Sequence, residues 1–346
     1  MQRCLQLAKL AKGNVAPNPM VGAVLVYNNK IIGEGYHQQF GRAHAEVNCI
    51  NSVQAADKQC IQNSILYVSL EPCAHIGKTP PCTNLIITSK IPTVVIGCVD
   101  VFAAVNGLGI QQLQAAGIHV IINVLQQQCL AINKQFNYFH QYQQPYVILK
   151  WAQTADKKIA KNNFDAVAIS NQFTNRLVHK WRSQNAAILV GTNTTLLDNP
   201  SLTTRRWQGN NPVRIIIDAH LKTPAHFNVL NKQAKTIVFN ATKQAHGLHV
   251  NYIIIDFTKD ILPQILQQLY ILDIQSILVE GGAKLLQSFI DAGCWNEARI
   301  ITNQQMYLHD GIAAPTLKNY LYKHQVEIEG DTICYFINQQ KNDNYS

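Results

Sequence analysis

Charge is scarce in this chain: of 346 residues only 14% are Asp, Glu, Lys or Arg, and nothing in the composition marks a disordered polyelectrolyte. Long hydrophobic runs are missing too. No stretch of about eighteen apolar residues occurs, so the sequence predicts no membrane-spanning helix, and the N-terminus enters an amphipathic pattern without a secretory leader's apolar core. Cysteine is never concentrated. The nine cysteines, an odd number, are scattered along the chain, which fits reduced thiols and a cytoplasmic location better than a disulfide framework. There is no G-x-G-x-x-G, so a Rossmann dinucleotide site has no support, and no internal repeat. The net charge is +9, yet the cations come in small groups such as Lys157, Lys158 and Lys161, or Arg205 and Arg206. No aromatics interleave with them as a single-strand stacking platform requires. Nucleic acid and membrane are therefore not expected as partners, and pockets for small phosphorylated ligands are.

What is present begins with bulk. At 47% hydrophobic, a chain of this length can bury two ordinary cores, so two domains are expected. The most constraining local feature is His44-Ala45-Glu46 followed by Glu71-Pro72-Cys73 and Pro80-Pro81-Cys82. One imidazole and two thiolates give Zn²⁺ three protein ligands and leave a fourth position open for water, whereas a structural site closes all four. Glu46, two residues past His44 at a helix start, is then placed to carry protons between water and substrate, the division of labour in zinc deaminases. Each part alone is weak: a lone His-x-Glu is common on solvated helices, and a Pro-Cys pair is more often a buried cysteine at a turn. The conjunction, with a strand-like run at 65–70 leading into Glu71, is specific. The alternative is a closed site that recruits His75 as fourth ligand.

Hydrophobic periodicity gives an alternating α/β pattern. In the first half it predicts a helical stripe ending near Gly13, strands at 21–27 and 30–36, a helix from His44, a strand at 65–70 and a short helix from Cys82. A strand at 93–98, a helix near 109–116 and a strand at 118–124 complete a three-layer domain. Both cysteines and the histidine are expected at helix starts, where the dipole favours thiolate. Residues 126–144 are glutamine-rich and end at Pro145, which sets the boundary between domains 1–144 and 145–346. The second half predicts strands near 146–151, 186–190, 213–217, 235–239, 252–255 and 276–279. Helices are expected near 171–183, 260–270 and 283–292, with a closing hairpin in 325–338. Its strongest signal is Val279-Glu280-Gly281-Gly282 before an apolar-periodic helix, a turn able to cradle phosphate, although such turns are more often plain connections. Thr194, Asp198, Asn199, Pro200, Leu202 and Arg205 form a second polar patch in an expected loop.

Nine positions separate Cys73 from Cys82, where most deaminases have Pro-Cys-x-x-Cys. With Pro17-Asn18-Pro19-x-Val21-Gly22, Gly33-x-Gly35-Tyr36-His37 and His75-x-Gly77-Lys78-Thr79-Pro80-Pro81, this block resembles the bifunctional riboflavin-biosynthesis deaminase/reductase family. The second half resembles that family's reductase domain, similar in fold to dihydrofolate reductase, through Leu149-Lys150, Asp156, Arg182, the run from Thr194 to Arg205, Arg214 to Asp218, and Val279 to Gly282. The chain departs from the family at Val101-Phe102-Ala103, at Ala155-Asp156-Lys157-Lys158 and across 164–170.

The resemblance implies an N-terminal cytidine-deaminase-like domain and a C-terminal dihydrofolate-reductase-like domain, Zn²⁺ and NADPH as cofactors, a phosphorylated pyrimidine substrate and a homo-oligomer. It implies that Asn18 holds the base, with His37 and His75 in the same pocket and Lys78 on the substrate phosphate. In the reductase half it implies that Arg182, Leu202, Arg205 and Glu280 face substrate, that Lys150 orients or polarises the sugar, and that Ala152, Thr194, Asp198 and the turn Gly282, Ala283, Lys284 and Leu285 face NADPH. Lys78 and Lys150 each have a plain alternative, a solvated loop cation and a strand-end lysine. Three competing functions are a deaminase whose reductase half is silent, a deaminase of tRNA or single strands, and a zinc-stabilised interaction module.

Overall fold

The structure, a computed structural model, describes residues 1–74, 80–102, 106–162 and 167–341. The chain divides into two compact units, Met1–Gln143 and Gln144–Ser346.

The first unit runs α1 (Gln2–Lys9), β1 (Gly22–Tyr27), β2 (Lys30–Tyr36), α2 (Ala45–Asn51), a 3₁₀ segment (Ala55–Asn63), β3 (Ile65–Val68), α3 (Cys82–Thr88), β4 (Thr93–Ile96), α4 (Leu108–Ala115), β5 (His119–Ile121), α5 (Gln126–Ile132) and α6 (Lys134–Tyr142). Its sheet has the order β2-β1-β3-β4-β5, antiparallel where β1 meets its neighbours and parallel from β3 to β5. Alternation along β1 explains the layering. Ala23 and Leu25 enter a core with Ala45 and Cys49 of α2, Ile86 of α3 and Leu113 of α4, while Val24 points the other way, to Cys4 and Leu7 of α1. Two of the differences from the sequence pattern are instructive. The glutamine-rich stretch, to which the periodicity assigns no element, forms two helices, because Cys129, Phe136, Asn137, Tyr138 and Phe139 supply a buried stripe that the glutamines dilute. The strand expected at 65–70 stops at Val68, and Ser69 turns its hydroxyl to the Gly22 amide (3.1 Å).

The second unit contains β6 (Tyr146–Thr154), β7 (Lys158–Ala160), α7 (Gln172–Ser183), β8 (Ala187–Gly191), α8 (Thr192–Asp198), β9 (Val213–Ile217), β10 (Thr236–Asn240), β11 (Ala245–His246), β12 (Val250–Ile254), α9 (Ile261–Ile271), β13 (Ser276–Val279), α10 (Ala283–Asp291), β14 (Glu297–Asn303), β15 (Ile312–Ala313), β16 (Tyr320–Ile328) and β17 (Asp331–Asn338). Ten strands order as β11-β12-β10-β9-β8-β13-β6-β14-β17-β16. The middle, from β12 to β14, is parallel, and its strands β8, β9, β10 and β13 are buried on both faces, which is why they read as apolar runs rich in Ile, Leu and Val. The largest core joins these strands to α9 and α10.

The sequence pattern did not supply β14, since its inward positions carry Glu297 and Arg299, buried charges that break the apolar alternation. The patch expected as a loop at Thr194 and Asp198 is the helix α8, ended by Asn199 at φ +38° and then Pro200. At the 155–158 departure the chain keeps a tight turn. Lys157 takes φ +58°, a left-handed conformation that disfavours a side chain by about 1 kcal/mol, and the Asp156 carboxylate holds the turn by accepting from the Thr154 hydroxyl (2.6 Å) and the His309 amide (2.8 Å).

Candidate functional site

His44 is the N-cap of α2, in extended backbone (φ −72°, ψ 169°), and Cys82 is the first residue of α3. Cys73 does not start a helix, contrary to expectation. It sits in a turn closed by the Thr83 amide and hydroxyl, each 3.2 Å from the Cys73 carbonyl oxygen. Its Sγ still accepts the Cys82 amide at 3.4 Å, so the positive end of α3 acts on both sulfurs. His44 Nδ1 lies 3.5 Å from Cys73 Sγ and 3.4 Å from Cys82 Sγ, and all three atoms fall within 4.8 Å of one another. A tetrahedral zinc with bonds of roughly 2.3 Å to sulfur and 2.0 Å to nitrogen sets N and S about 3.5 Å apart. The trio fits the ion. Among the described residues no other cluster of His, Cys, Asp or Glu does.

The electrostatics agree. Hydrogen bonds from Cys82 and from the His44 imidazole hold Cys73 down to about 4 against the opposing effect of burial, toward the thiolate form in which cysteine binds metal. Glu46 is 3% exposed; burial first, and then the negative Cys73, pushes its carboxyl up to about 7. A group that gains and loses a proton near neutrality suits a proton carrier.

Close backbone packing sets the placement of α2. A Cβ on Gly35 would stand 2.2 Å from the Cys49 amide nitrogen and 2.6 Å from the Ala45 carbonyl oxygen, so the helix lies directly on β2 only because residue 35 is glycine. Gly35→Ala is expected to lift α2 and lower stability by about 2–3 kcal/mol, readable by urea unfolding, with loss of zinc retention.

His37 is almost fully buried, at 2%, rather than lining an open pocket. Its Nδ1 lies 3.1 Å from the Ala43 carbonyl oxygen and its Nε2 3.0 Å from Asn18 Nδ2. The carbonyl can only accept, so Nδ1 carries the proton and Nε2 accepts from Asn18. Burial pushes the imidazolium down and keeps the ring neutral. The Asn18 amide is thereby fixed with its oxygen and second N–H available. Substituting His37 by Ala is expected to lower deaminase kcat/KM roughly tenfold by freeing that amide, with zinc content unchanged, in steady-state kinetics with parallel metal analysis. His75 and Lys78, expected in this pocket, lie outside the described residues, as does Ala103.

Sequence reasoning missed Glu71. Its buried carboxylate accepts four backbone amides, from Asp100 (3.2 Å), Gly107 (3.0 Å), Gly109 (2.9 Å) and Ile110 (3.2 Å). It ties the cysteine loop to the start of α4, where the dipole welcomes a carboxylate. Only its position in Glu-Pro-Cys hinted at a role.

In the second unit, Lys150 of β6, Arg182 of α7 and Glu280 after β13 converge. Arg182 grips Glu280 with both arms (Nε to Oε1 2.9 Å, Nη2 to Oε2 2.8 Å) and gives Nη1 to the Thr203 carbonyl (3.3 Å). Lys150 Nζ lies 3.5 Å from Glu280 Oε2. Burial alone would raise Glu280, but Arg182 and Lys150 overrule it and hold it at about 2. Burial lowers the Lys150 ammonium despite Glu280. Thr194 of α8 is brought to the glycine turn, where its Oγ1 accepts the Gly282 amide (3.0 Å). No side chain caps α10, so the amides at Ala283, Lys284 and Leu285 have no side-chain acceptor at the positive helix end, an arrangement that fits the phosphates of a dinucleotide. A Cβ on Gly281 would meet Leu285 Cδ2 at 2.6 Å, which explains that glycine. Ala152 lies on β6 two residues from Lys150, and Asp198 and Arg205 are exposed. Leu202 is placed otherwise than expected: its side chain is 3% exposed in a core with Ile188, Val190 and Ile216, so it can offer a ligand only backbone.

Residues 1–98 match the family model for the cytidine and deoxycytidylate deaminase zinc-binding region, and residues 145–303 match that for the RibD C-terminal domain. The riboflavin biosynthesis protein RibD of Aquifex aeolicus is 39% identical over 85% of this chain and 83% of its own, and that of Bacillus amyloliquefaciens is 39% identical over 86% and 81%. Among solved structures, a diaminohydroxyphosphoribosylaminopyrimidine deaminase/5-amino-6-(5-phosphoribosylamino)uracil reductase from Thermotoga maritima has a TM-score of 0.88 and 35% identity, covering 98% of this chain and 97% of that one. RibD of Acinetobacter baumannii also has a TM-score of 0.88, at 27% identity and 97% coverage of both. With the zinc-type trio and the glycine turn before α10 in place, these likenesses show that the chain belongs to the RibD family, the bifunctional zinc- and NADPH-dependent deaminase/reductases of riboflavin biosynthesis.

Proposed function

We propose that domain 1–144 deaminates 2,5-diamino-6-(5-phosphoribosylamino)pyrimidin-4-one to 5-amino-6-(5-phosphoribosylamino)uracil and that domain 145–346 reduces the ribosyl group of that product to ribityl. The observation that carries the reading is the three-ligand cluster of His44, Cys73 and Cys82 beside the buried Glu46. His44, Cys73 and Cys82 hold zinc; when bound, the ion supplies a Lewis acid that lets water act as nucleophile near neutral pH. Glu46 takes the water's proton, returns it to the ring nitrogen and then assists the departing ammonia. Asn18, set by His37, presents one acceptor and one donor to the base. The net change is an amine exchanged for a carbonyl, with water consumed and ammonia released.

In the second domain NADPH supplies hydride for the sugar C1. Thr194, Gly282 and the first amides of α10 would hold its phosphates, and Ala152 and Asp198 would contribute to the same site. Lys150, held against Glu280, orients the sugar and places a proton donor near its ring oxygen. Arg182 and Arg205 meet substrate oxygens and Lys78 its phosphate in the deaminase. Small, dispersed cation groups support a small phosphorylated substrate over nucleic acid. Nine free cysteines support a cytoplasmic setting, and no helix among the described residues is long and apolar enough to cross a membrane. The chain works as a homo-oligomer.

Mass spectrometry of products tests the reading. Substrate with zinc-loaded protein should gain about one mass unit as NH₂ becomes O, and about two more when NADPH is added. A product bearing only the first change favours the deaminase with a silent reductase half.

A further inference from the structure

From Asn199 to Pro212, between α8 and β9, the chain has neither helix nor strand, yet it is fastened at successive points. Leu202 takes φ +51° and buries its side chain beside Ile188, Val190 and Ile216. Trp207 lies against two cations of α7, with Arg176 at 5.4 Å and Lys180 at 5.1 Å from its ring centroid. Gly209 approaches the same helix so closely that a Cβ there would stand 2.8 Å from Ser183 Cβ. Arg176, Lys180 and Ser183 follow helical spacing, so one stripe of α7 carries the far half of the segment.

The near half, which leads to Arg205, hangs on one carbonyl. Thr203 is 4% exposed, and its oxygen accepts Arg182 Nη1 at 3.3 Å together with the imidazole of His179, three residues earlier on α7. His179 is 1% exposed and its Nδ1 has no partner among the described residues, so the nitrogen that reaches Thr203 is Nε2. It carries the proton, because a carbonyl only accepts. Burial first, and then the Arg182 and Arg205 charges, push the imidazolium down to about 4 and keep the ring neutral. That both guanidiniums act on this ring puts Arg205 in the neighbourhood of Arg182. The two donors to Thr203 are not equivalent. Arg182 commits Nε and Nη2 to Glu280, so Nη1 is the arm left for a substrate oxygen. His179 is too deeply buried to meet a ligand, and its bond to Thr203 persists when Arg182 turns to substrate.

We propose that His179 is a positioning residue for the reductase: its Nε2 proton holds the Thr203 carbonyl and thereby sets Arg205 beside Arg182 for a common substrate. This rests on the reading in which both arginines meet substrate oxygens.

Steady-state kinetics of the full-length, zinc-loaded enzyme with 5-amino-6-(5-phosphoribosylamino)uracil and NADPH test it, with ammonia release in the deaminase reaction and circular dichroism as checks on intact protein. His179→Leu removes the donor and keeps the bulk, whereas His179→Gln carries an amide N–H to about the Nε2 position. The Leu variant is expected to raise KM for the uracil compound roughly tenfold, with kcat and the KM for NADPH within about twofold of wild type. The Gln variant is expected to restore most of the loss. His179→Asn, too short to reach Thr203, should match Leu and stands in for it if Leu does not fold. An unchanged KM in a folded loss variant overturns the proposal, as does a loss confined to kcat or shared equally by NADPH, or a Gln variant no better than Leu. Failure of both loss variants to fold would mark a purely structural histidine and overturn it as well. Wild-type protein without NADPH-dependent turnover overturns the reading of the site, and this proposal with it.

Discussion

Replacing Glu46 by Gln is expected to lower the deamination rate by roughly 10⁴-fold while leaving zinc content, folding and NADPH-dependent turnover of the deaminated compound intact. The amide keeps the shape of the carboxylate but cannot accept a proton, and Glu46 is not one of the three atoms grouped around the metal position. Stability should hold, since the amide occupies the same buried volume as the carboxylate, which is 3% exposed. Ammonia release, metal analysis and thermal unfolding on one preparation check all three. A variant that retained activity within tenfold of wild type would mean that Glu46 carries no proton, as in a closed structural site.

The second large effect concerns Glu280. Glu280→Gln is expected to destabilise the second unit by about 3–5 kcal/mol, because it leaves the buried Lys150 and Arg182 as facing cations without their carboxylate, and to remove most reductase activity. Both cations lie close to it, at 3.5 Å and 2.8 Å, and all three side chains are at most 14% exposed. The pH dependence has a definite sign. Burial would raise the Glu280 pKa, yet Arg182 and Lys150 hold it near 2 in the fold, below about 4.3 in an unfolded chain. Its contribution, on the order of 3 kcal/mol, is therefore complete above the unfolded value and is lost as pH falls toward 2. Urea unfolding at stepped pH should show the gap between wild type and variant narrowing between about pH 5 and pH 2. A gap that stayed constant over that range would show that the carboxylate is not ionised against its two cations.

The metal trio could be read from the chain because thiolate and imidazole at that spacing have few other uses, and because helix starts place them by local rules: His44 caps α2 and Cys82 opens α3. The strands β8, β9, β10 and β13 were legible as apolar runs, since both faces are covered. Charge inside the sheet hid β14, where Glu297 accepts from the Tyr146 hydroxyl (3.0 Å) and pairs with Arg299 (3.1 Å); each is acceptable only because the other is present. Contacts between distant residues were invisible for the same kind of reason. Nothing local tells Glu71 that it will receive the amides of Gly107 and Gly109, or tells Leu202 that its φ of +51° will turn its side chain into the core. The convergence of Lys150, Arg182 and Glu280 depends on β13 lying between β8 and β6, a sheet order that no window of sequence contains. Resemblance to a family supplied those three residues; tertiary structure supplies the reason they act together.

The most direct test of the account is a coupled assay on zinc-loaded protein given the phosphorylated diaminopyrimidinone, following ammonia first and then, on addition of NADPH, loss of absorbance at the reduced nicotinamide band. The account predicts stoichiometric ammonia followed by an equal consumption of NADPH. No ammonia would contradict the substrate assignment and the role given to Glu46, and ammonia without NADPH consumption would contradict the reductase half.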